Sequence, residues 1–198
     1  MDEEHGEWTG LKSLSSKTYS CGHCGNLISS EKGYATRISQ HMPTILGTIY
    51  ICHVCNCPSY FAGGSAQVPG ARLGGIINHL PPDIASLYKE IQNSTTVGGY
   101  TSAVLASRKL LMHVAVESGA EPGKQFVAYI NYLVENGYTP PNSTAWIDKI
   151  RVVGNEANHE IVIMQEIDAR NIIKLIEMLL KFNYEFPKEA ESETESSG

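Results

Sequence analysis

The chain has 198 residues, of which 42% are hydrophobic and 18% charged. This composition excludes a disordered protein and allows one ordinary domain plus a small satellite. No stretch approaches the roughly 18 apolar residues that a membrane span needs. The start, Met1-Asp2-Glu3-Glu4-His5, is acidic where a signal peptide would be basic, so a cytoplasmic protein with no membrane partner is expected. The net charge of −6 sits at the ends: residues 1–8 carry −4 and residues 188–198 carry −3, leaving +1 for the rest. That near-neutral body permits nucleic-acid binding, but no basic stripe argues for it.

Residues 1–14 read as an acidic flexible leader. Five cysteines follow, four of them in two knuckles, Cys21-Gly22-His23-Cys24 and Cys52-His53-Val54-Cys55, separated by 27 residues. A Cys-x-x-Cys turn aims two thiolates at one point, and two such turns complete the tetrahedral S₄ shell of a structural Zn²⁺. Cys21, Cys24, Cys52 and Cys55 are therefore the expected ligands of one structural zinc, with no open position for catalysis. Disulfides fit poorly with a cytoplasmic chain and an odd cysteine count. A redox pair would need only one knuckle, near a βαβ pattern. Cys57 is the spare, and His23, His41 and His53 read as ordinary surface histidines. Tyr34–Ile38 and Thr44–Ile51 favour strands, giving a small β zinc ribbon over 15–62. Residues 63–77 read as a Gly-rich linker, since their glycine spacing matches no phosphate-binding loop.

After Pro81-Pro82 the periodicity becomes helical. Asp83 is a plausible N-cap for Ile84–Gln92, and Gly98-Gly99 separates it from a long helix running from about Tyr100 to Glu117. Lys124–Glu135, roughly Thr144 to Ile161, and Ala169–Asn183 behind Asp168 complete the set. Helices of this length with short turns describe an antiparallel bundle. Residues 188–198 read as a disordered acidic tail. The fold class expected is thus mainly α: a helical bundle over 78–187 with a small N-terminal β ribbon.

One stretch is chemically loaded. Arg151, Asn155 and His159 are spaced four apart, and each step of four turns a helix by about 40°. The three form one polar stripe over two turns. A guanidinium can hold a phosphate in a fork and an imidazole can move a proton near neutral pH, which are the parts that metal-free RNA cleavage requires. The same stripe also suits hydrogen bonding across the bundle, with Arg108 paired to Glu156 or Glu160.

Leu80-Pro81-Pro82-Asp83-Ile84, Ala103–Leu111, Trp146–Arg151 and Gly154–Glu160, followed by Asp168-Ala169, occur in this order in a known family. Residues 78–187 resemble the bacterial domain of unknown function numbered four-one-four-five, often appended to R subunits of type I restriction enzymes and placed in the HEPN superfamily. The ribbon, with Tyr50-Ile51-Cys52 and Pro58-Ser59-Tyr60-Phe61, is similar to leaders found before that domain. The resemblance implies a HEPN-like bundle, a homodimer and a nucleic-acid-associated role in prokaryotic or phage defence. Its enzymatic form would be a metal-independent dimeric RNase with Arg151 on the phosphate, His159 as acid/base and Asn155 positioning them. The family's motif places an Arg directly before the polar residue; here that position is Gly154, with Arg151 one turn earlier and Arg108 on a preceding helix. The other reading is a non-catalytic adaptor whose ribbon docks a partner protein or DNA while the bundle dimerises; for the module as a whole the partner expected is RNA or DNA.

Overall fold

The computed structural model of the chain describes residues 6–39, 42–63, 66–159 and 162–195, the side chains of 37–39, 42–44, 154–159 and 193–195 excepted. His41 and Glu160 lie outside the described residues. The chain divides into two compact units, Met1–Arg72 and Leu73–Gly198.

The first unit is an antiparallel meander of five strands in sequence order: β1 (Lys12–Ser20), β2 (Leu27–Ser39), β3 (Met42–Ile51), β4 (Pro58–Ala62) and β5 (Ala66–Val68). Its pairings run through Tyr19↔Ile28, Gly33↔Tyr50, Tyr50↔Ser59 and Tyr60↔Val68. Tyr19, Tyr50 and Phe61 meet edge-on or tilted at 5.0–6.3 Å and form, with Ile28 and two cysteines, a small core. Lys17 lies over the Phe61 ring at 4.4 Å.

This sheet overturns the mainly-α class. Among the described residues five strands stand beside six α-helices, so the fold is mixed α/β. The physical reason lies in pairing. β1, Lys-Ser-Leu-Ser-Ser-Lys-Thr-Tyr-Ser, has weak strand propensity and is exposed at five of its nine residues, yet it is held by β2 and by burial of Tyr19. β5 lies inside the stretch expected to be linker and is held by β4, with Gln67 Nε2 donating to Ser20 O at 2.8 Å.

The second unit holds α1 (Pro82–Thr96), α2 (Tyr100–Glu117), α3 (Phe126–Glu135), α4 (Thr144–His159), α5 (Glu166–Leu180) and α6 (Phe186–Glu195). α2 is the central element, packed against α1, α3, α4 and α5. Its residues Ala103, Val104, Leu110, Leu111, Val114 and Ala115 are at most 2% exposed, which for 18 residues reflects an apolar stripe wider than a surface helix carries. Glycines end the helices as expected: Gly98, Gly119 and Gly137 all have positive φ, the conformation that releases a chain from a helix. Pro81 rather than Asp83 precedes α1, and Asp83 sits in its first turn. Asp168 lies inside α5, its carboxylate accepting the Gln165 N–H at 2.8 Å.

α5 runs through a π-helical turn, Lys181–Glu185, into α6. Glu185 is 7% exposed and accepts the Asn78 N–H at 2.5 Å. The segment expected to be a disordered tail from residue 188 is helical to Glu195. Its glutamates favour helix and Lys188 pairs with Glu191 at 2.8 Å, while residues 186–192 stay exposed. No helix among the described residues is long and apolar enough to cross a membrane.

Candidate metal centre

The two knuckles are hairpin turns. Cys21–Asn26 connects β1 to β2 and Cys52–Cys57 connects β3 to β4, so both lie at the same end of the meander. Their backbones repeat one another. Cys21 N–H donates to Asn26 O at 2.9 Å and Gly25 N–H to Cys21 O at 2.8 Å; Cys52 N–H donates to Cys57 O at 2.9 Å and Asn56 N–H to Cys52 O at 2.8 Å. The fifth residue of each loop is left-handed, Gly25 at φ 80° and Asn56 at φ 57°. Glycine and asparagine are the residues that reach this region at least cost. Gly22 is fixed by space: a Cβ there would lie 2.4 Å from Gly70 O and 2.7 Å from Pro69 O.

These turns bring the Sγ atoms of Cys21, Cys24, Cys52 and Cys55 within 4.8 Å of one another. Cys21 and Cys55 Sγ are 3.7 Å apart, and Cys24 and Cys52 Sγ 3.8 Å. A tetrahedral thiolate shell with metal–sulfur bonds of about 2.3 Å sets its sulfurs about 3.8 Å apart. Those separations also exceed an S–S bond, and none of the five cysteines forms a disulfide. The cluster could hold a metal ion, and its geometry is compatible with zinc.

The thiols are unequal. Burial pushes Cys21 up, and burial together with the neighbouring thiols pushes Cys55 far up. At Cys24 burial also acts upward, but hydrogen bonds from the side chain and backbone of Asn26 outweigh it and bring the thiol down to about 7. Asn26 Nδ2 lies 3.4 Å from Cys24 Sγ. Spacing alone did not single out Asn26, although its place directly after the Cys-x-x-Cys-Gly turn is where a sulfur acceptor comes within reach.

Cys57 occupies in the second knuckle the position of Asn26 in the first. It is buried, lies outside the cluster, and its thiol faces Cys55 O at 3.4 Å. His23 Nε2 contacts Pro58 O at 3.1 Å and His53 is exposed, so neither joins the sulfurs. Arg72 closes the first knuckle from outside by donating to His23 O.

The polar stripe lies on α4. Arg151 is 26% exposed and its Nη1 pairs with Asp148 of the same helix at 2.5 Å, while its buried Nε has no hydrogen-bond partner among the described residues. It borders a cleft of about 410 Å³ with Asn142, Thr144 and Ile147. Asn155 and His159 share this helix, but their side chains lie outside those described. Arg108 on α2 is 9% exposed, stacks on Phe126 at 4.6 Å and has no carboxylate partner among the described residues. Burial alone lowers its pKa. Pairing of Arg108 with Glu156 or Glu160 falls on side chains outside those described.

A four-thiol ribbon ahead of a helical unit defines a two-part protein, and comparison with known families names its second part. The family model described as domain of unknown function (DUF4145) matches residues 89–196. The chain belongs to that family. No curated protein and no solved structure matches it.

Proposed function

We propose that the chain is a nucleic-acid-associated module of a prokaryotic or phage defence system, in which one Zn²⁺ on Cys21, Cys24, Cys52 and Cys55 is structural and the helical unit, HEPN-like, pairs as a homodimer. The observation that carries the metal assignment is the four-sulfur cluster at tetrahedral spacing. Four thiolates fill the coordination of Zn²⁺ and leave no position for a reacting water. The metal therefore fastens the two hairpin turns and supplies no chemistry. The nucleic-acid partner rests on the family resemblance of the helical unit; charge adds nothing to it, since residues 1–72 hold five cations against five carboxylates.

The adaptor form of this reading is favoured over the ribonuclease form by one contact. The Arg151 guanidinium is engaged by Asp148 within its own helix, and Gly154 stands where the motif carries its arginine. Arg151, Asn155 and His159 nevertheless share α4 at fourfold spacing, which keeps metal-independent RNA cleavage as the second reading.

One experiment separates them. Wild type and His159→Ala are incubated with mixed RNA in EDTA for a short time, and binding of labelled RNA and DNA is measured alongside. The adaptor form expects no cleavage from either protein and equal binding by both. Cleavage by wild type alone would overturn it in favour of the ribonuclease. Failure of both proteins to bind any nucleic acid would overturn the nucleic-acid role itself.

A further inference from the structure

Both ends of the first unit fold back onto its knuckles. At the exit, the backbone of residues 69–70 lies directly on Gly22, where a Cβ would come within 2.4 Å of Gly70 O and 2.7 Å of Pro69 O. The Arg72 stem passes Gly25, 3.8 Å from where a Cβ would stand, and its guanidinium donates to His23 O. Gln67 Nε2 donates to the carbonyl of Ser20, the residue before Cys21. At the entry, Trp8 Nε1 donates to Asn56 O at 2.8 Å and Asn56 Nδ2 donates to Gly6 O at 3.1 Å. Residues 69–72 thus cover the first knuckle and residues 6–8 hold to the second.

These contacts are made to turn residues, Gly22, His23 and Asn56, whose positions follow the sulfurs beside them. Each turn is closed by two backbone hydrogen bonds of its own. A metal on the four sulfurs ties the two turns to one point and so fixes both surfaces on which the ends rest. The strands depend on it less. β2 and β3 pair from Gly33↔Tyr50 out to Ser39↔Met42, away from the knuckles, and Tyr19, Tyr50 and Phe61 pack on one another. Linkage makes the dependence of the ends mutual: by whatever factor bound metal favours the seated ends, seated ends favour bound metal.

We propose that the metal latches both ends of the ribbon: with it bound, residues 6–8 and 69–72 belong to the folded unit, and on its loss they come free while β2 and β3 stay paired. This rests on the metal assignment above and adds to it a second state of the chain. The glycine-rich stretch that follows β4 has the composition of a linker, yet residues 67–72 are held by β4, Ser20 and the first knuckle. Metal loss returns residues 69–72 to the flexible chain their neighbouring glycines favour. One ion therefore sets the freedom of the unit's entry and exit together, which makes the ribbon a conformational device responsive to metal occupancy.

The test follows N–H relaxation by NMR in the full chain, zinc-loaded and then after prolonged chelation under a reducing agent, with metal counted by mass spectrometry. With zinc, the amides of Gly70, Ala71 and Arg72 and the Trp8 indole should be as ordered as the amides of Tyr34 and Ile49, with order parameters of about 0.85. Without it the first four should fall below about 0.6 while Tyr34 and Ile49 hold. Gly22→Ala, at a glycine without positive φ, pushes residues 69–70 off the turn. It should free residues 70–72 with zinc still bound and weaken zinc binding roughly tenfold in chelator competition. Trp8→Phe removes one donor and should weaken zinc binding roughly threefold to tenfold, which keeps the test decisive if Gly22→Ala misfolds. Unchanged order on metal loss would overturn the latch. So would loss of order at Tyr34 and Ile49 together with the ends, since the metal would then fold the ribbon as a whole. Wild-type zinc affinity in both variants would overturn the coupling. A chain that takes up no zinc would overturn the metal assignment and the latch with it, an outcome the metal count shows separately.

Discussion

Replacing Cys55 and Cys57 separately with serine tests the metal centre where the sequence is ambiguous, because the two thiols are two residues apart. The structure places Cys55 Sγ 3.7 Å from Cys21 Sγ, one edge of a tetrahedron, and turns Cys57 toward Cys55 O outside the cluster. Structural zinc in small domains is held with roughly 10–16 kcal/mol at neutral pH. Shared over four thiolates, this is roughly 2.5–4 kcal/mol each, so Cys55→Ser should weaken binding roughly a hundredfold to a thousandfold. A serine hydroxyl stays protonated at neutral pH and does not replace the thiolate. Cys57→Ser should bind one Zn²⁺ with wild-type affinity. Metal release is followed with a chromogenic zinc chelator in competition, with total metal counted by mass spectrometry. Equal losses in the two variants, or a loss in Cys57→Ser alone, would refute the ligand set and the geometry behind it.

Other substitutions probe the frame. At Gly33 a Cβ would lie 1.8 Å from Ile49 O, so Gly33→Ala must push β2 and β3 apart by about 1.2 Å to reach 3.0 Å; breaking two or three ladder bonds there should cost about 3 kcal/mol, seen as an earlier ribbon melt with Trp8 emission as probe. Leu111→Ala removes a side chain with no exposure from the central helix and should cost about 2–5 kcal/mol, read from the urea midpoint of the helical signal at 222 nm. Arg108→Met replaces a buried guanidinium without a carboxylate partner among the described residues. It should leave Tm unchanged or raised, and a fall of several degrees would show that the charge is compensated.

What could be read from the sequence follows how local each signal is. The four sulfurs were legible because a Cys-x-x-Cys turn fixes its geometry within a few residues. The bounds of α2, Tyr100 to Glu117, were legible because Gly98-Gly99 and Ser118-Gly119 punctuate them. β1 and β5 were not, since Lys12–Ser20 is rich in serine and lysine and Ala66–Val68 sits in glycine-rich chain; only pairing partners distant in sequence make them strands. Asn26 escaped notice for a related reason: its value lies in a sulfur it reaches only once the turn has formed. The stripe on α4 was legible as a spacing, while the ion pair that occupies Arg151 depends on the rotamer of Asp148, which spacing does not determine.

The bond from Asn78 N–H to Glu185 joins residues 107 positions apart. It sets the point where the chain enters the helical unit beside the point where it leaves the packed helices for α6. A unit whose two ends meet has a single doorway. It can be spliced behind a ribbon, or into a longer chain, without threading anything through its core. A domain closed on itself in this way travels as a cassette.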